Sequence, residues 1–116
     1  MESLDPSKLY YLASPYSHPD PTVRQDRYEK VNAFAARLSK EYNITVIEPI
    51  CSGHAKTHLG LSTSFDYWQK SCELFLTHSD GMIVLQLDGW DTSKGVQSEI
   101  KFAKEWSIPI VYVHLC

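Results

Sequence analysis

Residues 81–87 read GMIVLQL, an almost unbroken apolar run bounded by Asp80 on one side and Asp88-Gly89 on the other. A strand with one wet face alternates apolar and polar residues. A continuous run belongs to a strand covered on both faces, as in parallel sheets sandwiched between helices. Three further runs are strand-like: KLYYLA (8–13), ITVIEP (44–49) and IPIVYV (108–113). Between them lie stretches with helical spacing. Asp20-Pro21 supplies an N-cap and a proline for the first helical turn, Val31, Phe34, Ala35 and Leu38 follow on one stripe, and Asn43 suits a left-handed end. A second helix is expected from about Ser64, with Phe65, Trp68, Cys72 and Phe75 on its stripe, and a third from Thr92 or Ser93 with Val96, Ile100 and Ala103. The segment ICSGHAKTHLGLSTS (50–64) is expected to be a long loop, a kind that is often functional.

The order β-α-β-α-β-α-β predicts an α/β fold, a Rossmann-like three-layer sandwich around a short parallel sheet with right-handed crossovers. With 116 residues, 43% hydrophobic and 22% charged, the chain suits one domain over residues 1–116. A net charge of −3 gives no footing for a nucleic-acid surface, and no apolar run reaches the ~18 residues of a membrane span. MESLDPSK has no signal-peptide pattern, and three cysteines without framework spacing fit a reducing, cytoplasmic setting. Four short strands with an exposed edge suggest a homodimer or larger homo-oligomer.

Sheets of this kind bind ligands at the carboxyl ends of their strands, where strand order reverses. The first and third strands are expected to meet there, so ASPYS (13–17) and LDGWDTS (87–93) open onto one crevice. The third helix points its N-terminus into it, a natural place for a phosphate or a sugar hydroxyl, with Ser93 adding a hydroxyl and Gly95 permitting close approach. Glu99 lies beside the apolar stripe of that helix. It is either a boundary residue whose carboxylate reaches water, with Ser93 a simple cap, or a nucleophile for an electrophilic sugar carbon. Tyr11 and Tyr16 either pack or orient and protonate, and Trp90 either stacks on a base or covers the sheet's end. Arg24, in the first turn of a helix where its charge opposes the dipole, is either solvated or phosphate-binding. Cys51, His54 and His58 have a metal-like spacing, but only three ligands are local, so neither a metal nor another cofactor is expected and a substrate-covering role is preferred. His18 and His78 read as polar loop or helix-end residues.

The motifs YLASPYSHPDPTVRQDRY, EPICSGH, SDGMIVLQLDGW and SKGVQSEI together resemble a bacterial and phage domain family of unknown function that is related to the nucleoside 2-deoxyribosyltransferases. The likeness runs from about Leu9 to Val113. It implies cleavage or exchange of N-glycosidic bonds in deoxynucleosides or their 5′-monophosphates, with Glu99 as nucleophile and Tyr11 positioning it. Ser14, Tyr16, Asp80, Trp90, His54 and Arg24 are then candidate substrate-binding residues. Ser93 stands where the transferases carry a sugar-binding aspartate and where the related deoxynucleoside 5′-monophosphate N-hydrolases carry a phosphate-contacting serine. The superfamily's base-protonating aspartate maps to Cys72. A thiol is a poor proton donor, and losing general-acid help costs ~10²–10⁴-fold in rate. The resemblance therefore admits two expectations: an N-glycosidase or deoxyribosyltransferase, and a nucleotide-binding module that has lost its general acid.

Overall fold

The structure, a computed structural model, describes residues 4–57 and 59–114. Four parallel strands, β1 (Leu9–Ala13), β2 (Thr45–Ile47), β3 (Gly81–Leu85) and β4 (Ile110–Val113), form one sheet in the order β2-β1-β3-β4. The chain moves outward from β1 to β2, then returns to place β3 on the other side of β1. The strand order thus reverses between β1 and β3, whose register pairs Tyr11 with Met82 and Ala13 with Val84. Both expected properties, parallel pairing and a β1–β3 switch point, are present.

Helix α1 (Pro21–Tyr42) covers one face of the sheet. Its start follows from Asp20, whose carboxylate accepts from the Thr22 N–H at 2.8 Å, and from Pro21 in the first turn. Its end is Asn43 in the left-handed region at φ 54°, with the Ile44 N–H returning to the Leu38 carbonyl. Val31, Phe34 and Leu38 bury against Leu12, Ile83 and Leu85. Helices α3 (Phe65–Thr77) and α4 (Lys94–Glu105) cover the other face, where Cys72, Leu76, Val96, Ile100 and Ala103 meet Tyr11, Met82 and Val84. Every residue of β3 is buried, which is what its unbroken apolar run requires. Each fully buried aliphatic side chain of these two cores contributes about 1.5–3 kcal/mol.

Two expectations are corrected. Residues 50–64 are not a single loop, because Pro49–Thr57 form a helix, α2, and a shorter connection follows. Pro49 both ends the strand and begins the helix. Gly53 sits in mid-helix with the Trp68 indole packed against it, 3.7 Å from where a Cβ would lie. The buried stripe of α3 ends on Leu76 rather than Phe75, which is 39% exposed. The step from Cys72 to the core is one of four residues, not three.

Candidate functional site

The carboxyl ends of β1 and β3 open into a cleft of about 780 Å³. Its floor is made by Tyr11, Ser14, Cys72 and Glu99. Glu99 is held there by α4. Val96, Ile100 and Ala103 fix that helix against the sheet, and Glu99 lies beside them, one turn beyond Gly95 and Val96. Its side chain is only 7% exposed, so it does not reach out to water. It accepts a hydrogen bond from the Tyr11 hydroxyl, and the neighbouring Cys72 thiol also favours its charged form.

Burial pushes the Glu99 carboxyl up to about 7, against the lowering effect of those two donors. Burial, with the neighbouring Glu99 charge, also pushes the Cys72 thiol up to about 12. Tyr11 is raised well above its usual value for the same two reasons, burial first. Near neutral pH, Tyr11 and Cys72 therefore stay protonated as donors, while Glu99 is poised between its acid and its carboxylate. The Ser14 hydroxyl, at the end of β1, is buried in this floor and has no hydrogen-bond partner among the described residues. Buried polar atoms without a partner are rare.

One wall carries positive charge. Arg24 and Arg27 both line the cleft. Arg24 donates to the carbonyls of His18 and Pro19, at 2.5 and 3.3 Å. Arg27 donates to the carbonyls of Ser17 at 3.0 Å and Asp88 at 3.4 Å, joining the loop after β1 to the loop after β3. Partial burial lowers its pKa from the ordinary guanidinium value. Gly89 makes room for it, because a Cβ there would lie 2.8 Å from Arg27 Nη2 and the backbone has φ 90°. The N-terminus of α4 faces the same space, with the Ser93 hydroxyl accepting from the Val96 N–H at 3.3 Å.

Another part of the lining is aromatic. His54, on α2, is buried with its ring stacked on Tyr28 at 4.3 Å, Nδ1 at 2.7 Å from the Tyr16 hydroxyl and Nε2 at 2.8 Å from Gln25 Oε1. Trp68 lies beside it, its indole N–H donating to the Ser62 carbonyl at 2.7 Å.

The sequence matches the family model described as a domain of unknown function, DUF1937, over residues 8–114. The chain belongs to that family. No curated protein matches it.

In this DUF1937 domain the structure gathers Glu99, Tyr11, Ser14, Tyr16, Ser93, Gly95, His54 and Arg24 around one cleft. It leaves out two of the candidates. Asp80 stands at the amino end of β3, at the far end of the sheet, where its carboxylate accepts from the Leu9 N–H at 2.9 Å. Its role is to cap a strand. Trp90 packs on the α3–α4 side of the core and lies 6.0 Å from the Tyr112 ring, away from the cleft lining. It covers the sheet's end. Gly95 has a different use from the one expected, since the Phe65 ring occupies the space of its missing side chain, 3.0 Å from a Cβ position. The Cys51 side chain and His58 lie outside the described residues; the two ring nitrogens of His54 are engaged by Tyr16 and Gln25.

Arg27 was not singled out from the sequence, although a signal exists. Arg24 and Arg27 continue the 3-4 spacing of Val31, Phe34 and Leu38 back to the start of α1. Charges on the core-facing stripe at this end of α1 line the cleft. Among the described residues, no helix is long and apolar enough to cross a membrane.

Proposed function

We propose that this domain cleaves, or transfers between acceptors, the N-glycosidic bond of a deoxynucleoside or deoxynucleoside 5′-monophosphate, with Glu99 as nucleophile. The observation that carries this reading is a buried glutamate on the cleft floor whose carboxylate is oriented by a protonated tyrosine. The Glu99 carboxylate attacks C1′ of the sugar and forms an ester bond. The C1′–N bond breaks, its electron pair goes to the base nitrogen, and that nitrogen takes a proton from water. Water, or the nitrogen of an acceptor base, then attacks C1′ and releases Glu99 as the carboxylate. Tyr11 holds one oxygen so that another lone pair faces the sugar.

The unpartnered Ser14 hydroxyl at the end of β1 supports contact with a polar ligand group. Arg24, Arg27 and the N-terminus of α4 support an anionic substituent at one end of that ligand. A cleft of about 780 Å³ is large enough for a nucleotide, since ligand pockets run to roughly 300–1,000 Å³.

A second reading is favoured by one observation. Cys72 lines the cleft at the position to which the resemblance assigns the base-protonating acid, and its thiol is pushed up to about 12. In that reading the domain captures a nucleotide and does not turn it over. Incubation with each deoxynucleoside and its monophosphate, followed by chromatography of free base, separates the two. Base release that is lost in Glu99→Ala supports the enzyme. Thermal stabilisation by a nucleotide without release supports the binding module.

A further inference from the structure

A chain of hydrogen bonds runs from the surface of α1 to the cleft, and with a neutral His54 its polarity follows from its outer end. It begins at Glu29 on α1. The Gln25 side-chain NH₂ donates to the Glu29 carboxylate at 2.8 Å, across one helical turn. A carboxylate accepts and does not donate, so the Gln25 amide has its nitrogen on this side and its oxygen on the other. Gln25 Oε1 then faces His54 Nε2 at 2.8 Å, and Nε2 must carry the proton. A neutral imidazole has one N–H, which leaves Nδ1 as an acceptor. Tyr16 Oη lies 2.7 Å from Nδ1 and therefore donates its proton to it. The stacking of His54 on Tyr28, at 4.3 Å and 16°, opposes the half-turn of the ring that would put carbons where the two nitrogens stand.

We infer that this relay makes the Tyr16 hydroxyl a hydrogen-bond acceptor toward the cleft, so that it selects ligands presenting an N–H or O–H donor at that point. Its own proton is committed to His54, and the remaining lone pair of its oxygen meets the ligand. Gln25 and His54 are positioning residues, and Tyr16 is the residue that determines specificity. The inference rests on the reading of the cleft as a nucleotide site. There the donor is an amino group of the base or a hydroxyl of the sugar.

The test has two arms. In the first, nitrogen-15 NMR of the histidine rings reads the tautomer of His54, assigned by comparison with His54→Ala. A proton on Nε2 is expected, and a proton on Nδ1 overturns the inference. In the second, affinities are measured by calorimetry on Glu99→Gln protein for deoxyadenosine monophosphate, for its analogue without the 6-amino group, and for its analogue without the 3′-hydroxyl. One deletion is expected to weaken binding about tenfold or more, the scale of a lost hydrogen bond, and it names the donor. Tyr16→Phe is expected to abolish that difference. Gln25→Leu, at the exposed surface of α1, is expected to reduce it as well, because His54 is then released to take the other tautomer. A difference that survives in Tyr16→Phe overturns the inference, and so does its absence from the parent protein. If no nucleotide binds at all, the reading of the cleft fails while the first arm still decides the polarity of the relay.

Discussion

Replacing Glu99 by glutamine is expected to make the protein more stable at alkaline pH while leaving it little changed at acid pH. Burial raises the Glu99 carboxyl from 4.5 to about 7. A carboxyl raised in the folded state binds its proton more tightly there than in the unfolded chain. Its contribution is fully present below about pH 4.5 and is lost as pH rises through 7, so ionisation works against folding. The difference between the two pKa values, at about 1.4 kcal/mol per unit, corresponds to about 3 kcal/mol above pH 7. Near pH 5, where the folded carboxyl is still protonated and the unfolded one is mostly ionised, it is only about 1 kcal/mol. Glutamine has the same shape, still accepts from Tyr11 and never ionises. Unfolding by urea, measured for both proteins across this range, therefore gives a stability difference that grows by about 2 kcal/mol in favour of Glu99→Gln from about pH 5 to pH 8. Any constant offset from altered packing cancels, because only the slope is compared. A difference that stays flat with pH means that Glu99 ionises as an ordinary solvated carboxylate, and the account of a buried, desolvated nucleophile is then refuted.

The remaining expectations concern the neighbours of that carboxylate. Tyr11→Phe removes a donor that favours the charged form, so the rising limb of the pH–rate profile for base release moves to higher pH, and a limb that stays in place contradicts the role of Tyr11. Cys72→Asp supplies an acid facing the cleft and is expected to raise base release by about 10²-fold, the lower end of the 10²–10⁴-fold range of general-acid catalysis; an unchanged rate assigns Cys72 to packing alone. Gly89→Ala places a Cβ on a backbone at φ 90° and 2.8 Å from Arg27 Nη2, and is expected to cost about 1–2 kcal/mol in urea denaturation. Leu38→Ala, at a fully buried position on α1, is expected to cost about 2–5 kcal/mol by the same measurement.

The sheet was legible because its signals are local and redundant. The apolar run of β3, the Asp20-Pro21 start of α1 and the Asn43 end each follow from the chemistry of a few adjacent residues. Parallel pairing then placed the loops after β1 and β3 together, and with them Tyr11, Ser14, Glu99 and Ser93. Helix α2 was hidden because Gly53 and His54 break its apolar pattern, and it packs against Trp68 and Tyr28, which no local signal encodes. Phe75 and Leu76 differ by one residue in phase, and only the tilt of α3 on the sheet decides which is buried. Asp80 has a carboxylate beside an apolar strand, as Glu99 beside its stripe does, and the topology sends the two to opposite ends of the sheet. Arg27 depends on α1 reaching past the sheet's edge, which spacing marks only once the sheet is known.

The most direct test of Glu99 as nucleophile is mass spectrometry of the protein quenched with acid during incubation with a deoxynucleotide, followed by peptide mapping. A peptide containing Glu99 that carries one added sugar, with or without its phosphate, and that is absent from Glu99→Gln, is the expected result. Steady release of base with no adduct at any time, or an adduct on a residue other than Glu99, contradicts it.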